Sequence, residues 1–317
     1  MINQESLSLG QTRSVIRELF EYGNQRAKVV GRENIFDFSI GNPSVPPPPQ
    51  VSMEIERLIR EMEPCLLHGY TSAAGDPEVR TRIASSLSRR FAIDCKGEEL
   101  YLTCGAAASL VCCLHALSEP GDEVVLIAPY FPEYVVFIRA AGGVVKICPA
   151  DIDTFQINFQ KLESLLTQRT KAVIINSPNN PSGVLYDEKT LTYLGELLGE
   201  KSRALGQPIY LISDEPYREI VFGGKTAPWI PHFYPNTIVC YSWSKSLSLP
   251  GERIGYVYVP ASAEQSKEVY SAIVGAGRKL GYVCAPSLIQ RLVAACCDLT
   301  ADLSVYEKNA RILTHSL

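Results

Sequence analysis

From residue 95 onward the chain alternates short apolar runs with amphipathic or Ala/Leu-rich stretches, and this alternation restricts its fold more than any other feature. Seven runs, at 100–103, 123–128, 144–148, 172–176, 209–213, 237–242 and 255–259, have the length and character of strands. Helical patterns lie between several of them, at 159–167, 188–203 and 263–274. The expected fold class is therefore α/β, a mostly parallel sheet with helices on both faces.

Residues 100–118 carry no formal charge over nineteen positions, which reaches the length of a membrane span. Thr103, Gly105, Ser109 and His115 interrupt the stretch, and Gly105 divides a strand-like segment from an Ala-rich, helix-like one at 106–117. The reading is strand, turn, helix, with no membrane partner. Further upstream, the run Pro46-Pro47-Pro48-Pro49 stiffens the chain and is unsuited to the interior of a strand or helix. It is read as a hinge or boundary, which places residues 1–44 outside the main domain. No internal repeat is evident.

Composition narrows the function. A chain of 317 residues, 46% hydrophobic and 20% charged, has the balance of a soluble enzyme and excludes disorder, collagen and coiled coil. Thirty basic against thirty-four acidic residues give a net charge of −4, so there is no global positive field to hold a nucleic acid. Ten cysteines occur without a Cys-x-x-Cys pair, and the N-terminus has no signal-peptide pattern, from which reduced thiols in a cytoplasm are expected.

In open α/β sheets ligands gather beyond the carboxyl ends of the strands, and four polar strand ends stand out. Gly105-Ala106-Ala107 would present helix N-terminal N–H groups to a phosphate, although Gly at such a place also serves as a plain turn. Asn179-Asn180-Pro181-Ser182-Gly183 by itself reads equally well as a tight loop. In Asp214-Glu215-Pro216-Tyr217 the carboxylate could bind a metal, act as a base or pair with a cation. Ser242-Trp243-Ser244-Lys245 is sharper, because partial burial would lower the lysine pKa and make its amine a nucleophile toward a carbonyl. Eight residues later Arg253 opens another strand.

Taken in order, Gly105-Ala-Ala, Pro129-Tyr-Phe131-Pro-Glu-Tyr, Asn180-Pro-Ser-Gly, Asp214-x-x-Tyr217 and Ser242-x-Ser-Lys245 followed by Arg253 resemble the fold-type I, pyridoxal-phosphate-dependent aminotransferases of class I/II. The likeness runs from about residue 38 to about residue 313. It implies that Lys245 holds the cofactor as an internal aldimine and shuttles protons, and that Asp214 pairs with the pyridine nitrogen. Asn180 and Tyr217 would bond the 3′-oxygen, and Phe131 would stack on the ring. The phosphate would take Gly105, the N–H groups of Ala106 and Ala107, the hydroxyls of Ser242 and Ser244, and the guanidinium of Arg253. By the same resemblance Gly41, with Asn180, approaches the substrate carboxylate, and Tyr70 reaches the phosphate of a neighbouring subunit in a homodimer.

Family members usually extend further and carry, in a C-terminal small domain, the arginine that clamps the substrate carboxylate. The expectation is thus a fragment: an N-terminal arm and part of the small domain at 1–44, a large cofactor domain at 45–300, and the start of the small domain at 301–317. Arg311 is then not the clamp; were the chain complete, Arg13, Arg17 or Arg311 would be the candidates. The implied activity is amino-group transfer from an α-amino acid to a 2-oxo acid. The alternatives are a carbon–sulfur β-lyase or decarboxylase of the same fold, or a non-catalytic sensor domain.

Overall fold

The structure, a computed structural model, describes residues 2–11, 15–39 and 41–316. Two compact units emerge, Met1–Ser44 and Val45–Leu317. The first contains the helices Gln4–Gln11 and Val15–Val30. Arg13 and the side chain of Arg17 lie outside the described residues.

The second unit holds one seven-stranded sheet: β1 (Leu100–Thr103), β2 (Glu123–Ile127), β3 (Val144–Cys148), β4 (Thr170–Asn176), β5 (Tyr210–Asp214), β6 (Thr237–Ser242) and β7 (Gly255–Tyr258). Each strand coincides with one of the seven apolar runs to within two residues at either end. The one difference that matters is at β5, which begins and ends a residue later than expected. Asp214 is its last member, in register with Asn176 of β4 and Cys240 of β6, so the carboxylate is held by the ladder and does not hang from a loop.

The strand order is β1-β7-β6-β5-β4-β2-β3. Pairings from β3 through β6 are parallel, whereas β7 runs antiparallel to both β1 and β6. Because side chains alternate across a strand, each strand feeds two cores. Val124, Leu126, Ala172, Ile174, Ile212, Ile238 and Val257 pack with Leu110, Leu114, Ile138 and Ile273 of the helices Ala106–Leu117, Glu133–Ala140 and Ser266–Lys279. On the other face Val125, Val173, Ile175 and Leu211 meet Leu162, Leu194 and Leu198 of the helices Phe159–Leu165 and Glu188–Leu205. On that same face Leu100, Leu102, Tyr256 and Tyr258 meet Leu58, Ile83 and Leu292 of three further helices, Pro49–Glu61, Pro77–Phe91 and Ser287–Cys296. Helices thus cover both faces.

The proline run does more than mark a boundary. Pro48 is the N-cap and Pro49 the first residue of the helix Pro49–Glu61, a position where the missing N–H costs nothing. The uncharged stretch at 100–118 resolves into β1, a turn at Gly105 and the helix Ala106–Leu117. Among the described residues no helix is long and apolar enough to cross a membrane.

Candidate active site

The carboxyl ends of β1, β4, β5 and β6 lie at one edge of the sheet, and the reversed strand β7 brings its beginning to that same edge. Thr103, Gly255 and Ser242 stand side by side in the ladder. In a purely parallel sheet, residues that precede a strand would lie at the opposite end. Antiparallel β7 is the reason Arg253 joins the others.

A cavity at this edge is lined by Ala106, Ala107, Phe131, Tyr134, Asn176, Asn180, Asp214, Pro216 and Tyr217, among others. Lys245 Nζ lies 6.0 Å from the centroid of the Tyr217 ring. Phe131 stands edge-on to Tyr134, with centroids 5.6 Å apart. Asp214 is 6% exposed, and Tyr134 donates its hydroxyl proton to Oδ2 at 2.5 Å. The other oxygen, Oδ1, is buried and has no hydrogen-bond partner among the described residues. Burial pushes the carboxyl up to about 7; the Tyr134 bond works against this and the nearby Glu215 charge adds to it. An acceptor left bare in this way fits a ligand that brings a cationic N–H.

Asn176 ties the site together. Its Nδ2 donates to the Asp214 carbonyl at 2.8 Å, and its Oδ1 accepts the Asn180 N–H at 2.6 Å. Asn180 and Tyr217 line this cavity together, with the Asn180 amide close enough to favour the ionised Tyr217 hydroxyl. Burial raises the Tyr217 pKa, the Asp214 charge adds to it, and the Asn180 amide moderates it. The loop after β4 is also the tight turn its composition suggests, since Asn179 accepts from the N–H of Gly183 and from the N–H and hydroxyl of Ser182. Burial alone lowers the Lys245 pKa, which raises the neutral fraction of its amine at a given pH.

At the other end, Gly105 caps the helix Ala106–Leu117 with φ 92°, and the first N–H groups of a helix have no intrahelical acceptor. A Cβ on Gly105 would stand 2.9 Å from Arg253 Nη2, so the guanidinium sits directly beside the turn. Arg253 itself holds φ 49°, a left-handed conformation costing a side-chain-bearing residue about 1–2 kcal/mol. Ser242 Oγ donates to Ser244 Oγ at 3.1 Å on the adjoining strand end. Helix N–H groups, two hydroxyls and a guanidinium make an anion cradle.

Gly255 makes this cradle possible. A Cβ there would collide with the Tyr241 carbonyl oxygen and stand 3.0 Å from the Gly105 backbone. Gly255→Ala is expected to cost about 1–3 kcal/mol of stability, as overpacking does, and to weaken anion binding. Denaturant unfolding and phosphate titration check both. Unchanged values would show that the Tyr241 backbone and the Gly105 turn both move aside freely.

Sequence reasoning attached no role to Tyr134, Asn176 or Gly255. Asn176 ends an apolar strand run as Asp214 does, and that signal could have found it. One expected residue of the Val45–Leu317 unit, Tyr70, does not line the cavity. Tyr70 is 92% exposed. Gly41 is an exposed loop residue of the Met1–Ser44 unit.

Helix-flanked strands, a lysine beside a tyrosine, a buried carboxylate and an anion cradle are parts of one familiar class of site, and residues 33–316 match the family model for aminotransferase class I and II. The chain belongs to that family. It is 35% identical over 198 residues to a probable aspartate/prephenate aminotransferase of Thermus aquaticus, covering 60% of this chain and 49% of the relative. It is 34% identical over 240 residues to a protein of the same description from Aquifex aeolicus, covering 74% and 58%. The crystal structure of an amino transferase from Eubacterium rectale superposes with a TM-score of 0.97 at 51% identity, covering 99% of this chain and 79% of that one. The chain thus spans roughly half to three-fifths of the length of these curated relatives.

Proposed function

We propose that this chain binds pyridoxal 5′-phosphate and carries the cofactor machinery of an aminotransferase that moves an amino group from an α-amino acid to a 2-oxo acid. The observation that carries the reading is the unpartnered, buried Asp214 Oδ1 in the same cavity as the Asn180–Tyr217 pair. The donor set fits the cofactor at both ends. Asp214 would face the pyridine nitrogen, Asn180 and Tyr217 the 3′-oxygen, and Phe131 the ring. Gly105, Ala106, Ala107, Ser242, Ser244 and Arg253 would hold the phosphate. When bound, the cofactor supplies an electron sink for negative charge developing at the substrate Cα.

The residues' own contributions follow from their surroundings. Lys245 is half-buried with a lowered pKa, which enlarges the neutral fraction of an amine that can attack a carbonyl and later carry a proton. The Asp214 carboxylate keeps a proton on whatever nitrogen it faces. Tyr217 and Asn180, which line the same cavity, would restrain the oxygen they bond. We further read residues 45–300 as the cofactor domain. Tyr70, exposed as it is, would serve a second copy of the chain in a homodimer. Ten cysteines, all free, suit a reducing compartment such as the cytoplasm.

The test is absorbance of the chain loaded with pyridoxal phosphate, challenged with a panel of amino acids headed by aspartate. Stoichiometric release of a 2-oxo acid without ammonia supports amino-group transfer. Release of ammonia with pyruvate, or of carbon dioxide, would replace it with β-elimination or decarboxylation.

A further inference from the structure

Behind the site lies a buried ion pair to which none of these roles extends. Glu215 and Arg218 adjoin Asp214 and Tyr217 in sequence and are 1% and 4% exposed. Glu215 Oε2 accepts from Arg218 Nε at 2.5 Å, and Oε1 accepts from the Ser213 hydroxyl at 2.7 Å. Arg218 Nη1 donates to the Tyr256 hydroxyl at 3.0 Å. The guanidinium carbon lies 4.5, 4.9 and 5.3 Å from the ring centroids of Tyr241, Trp229 and Phe91, all within cation–π range. Tyr256 stacks on Tyr241 with centroids 5.0 Å apart.

A buried pair is a poor source of stability, because desolvation offsets most of the attraction. Here Arg218 Nη2 even has no hydrogen-bond partner among the described residues. What the pair does provide is direction. It joins the end of β5, which carries Asp214, to Tyr256 of β7, next to Gly255 on which the Gly105 turn rests.

We propose that Glu215 and Arg218 are positioning residues that fix the separation between the two ends of the cofactor site, Asp214–Tyr217 at one and Gly105–Arg253 at the other. The inference rests on the pyridoxal phosphate reading. Loss of the pair lets the β5 end shift relative to β7 while leaving every group that touches the cofactor in the sequence.

The experiment separates stability from positioning. Wild type, Arg218→Lys and the apolar double variant Glu215→Leu/Arg218→Met are prepared free of cofactor. Thermal unfolding is measured without pyridoxal phosphate, and affinity for it by fluorescence titration. The double variant should melt near wild type yet bind pyridoxal phosphate about 10- to 100-fold more weakly, the range seen when partners that orient ligating groups are lost. Arg218→Lys, which keeps the charge but not the fork, should bind at least about tenfold more weakly at nearly unchanged melting temperature. Wild-type affinity in a folded double variant overturns the proposal, since packing alone would then suffice. If the double variant does not fold, wild-type affinity in Arg218→Lys overturns it. Failure of wild type itself to bind would instead overturn the cofactor reading, and this inference with it.

Discussion

Lys245→Ala should leave no borohydride-stable bond between the chain and pyridoxal phosphate. Lys245 follows β6 directly, in the short helix Trp243–Ser246, and its amine lies over the Tyr217 ring at 6.0 Å. Its lowered pKa reflects burial, so the uncharged, nucleophilic form is more accessible than in a solvated lysine. The variant also loses its proton carrier at the reacting carbon, which by itself costs on the order of 10²–10⁴ in rate. Reduction with borohydride followed by peptide mass analysis reads the first effect, and single-turnover kinetics the second. An adduct of undiminished yield on another lysine would remove Lys245 from the role.

Asp214→Ala is expected to slow the half-reaction by roughly three orders of magnitude while some cofactor is retained, because the lost charge acts mainly on the transition state. Near-normal turnover would end the assignment. The same carboxyl leaves a signature in the cofactor-free protein. Its pKa stands at about 7 when folded, against an ordinary 3.8. Between those values the native state holds a proton that the unfolded chain has released, so stability falls as pH rises from about 4 to about 7. The decline attributable to this buried group is about 4 kcal/mol. Below pH 4 both states are protonated and above pH 7 both are ionised, so the contribution is flat outside the window. Asp214→Asn should flatten that part of the profile in denaturant unfolding. A variant with the wild-type slope would place the titration elsewhere.

Local chemistry alone made much of this molecule legible. Seven apolar runs became seven strands because a strand buried on both faces must be apolar at nearly every position, as in β2 and β4, and such runs stand out between polar turns. Gly105, Asn180, Asp214 and Lys245 could be singled out because each follows or ends such a run. The cradle residues Ser242 and Arg253 were named from the order of motifs, yet nothing local says that they meet.

That meeting was decided by tertiary structure. The direction of β7 is set by its pairing with the preceding strand β6 and with β1, which is distant in sequence, and it alone turns Arg253 and Gly255 toward the other strand ends. Tyr134 reaches Asp214 across 80 positions of sequence, and Arg218 reaches Tyr256 across 38. A residue's periodicity reports whether it will be buried; it carries no record of which distant partner burial will bring. The sequence therefore determined the strands and the chemistry at their ends. The fold decided which of those ends face one another, because strand order and direction follow from the packing of the whole sheet and from no single segment.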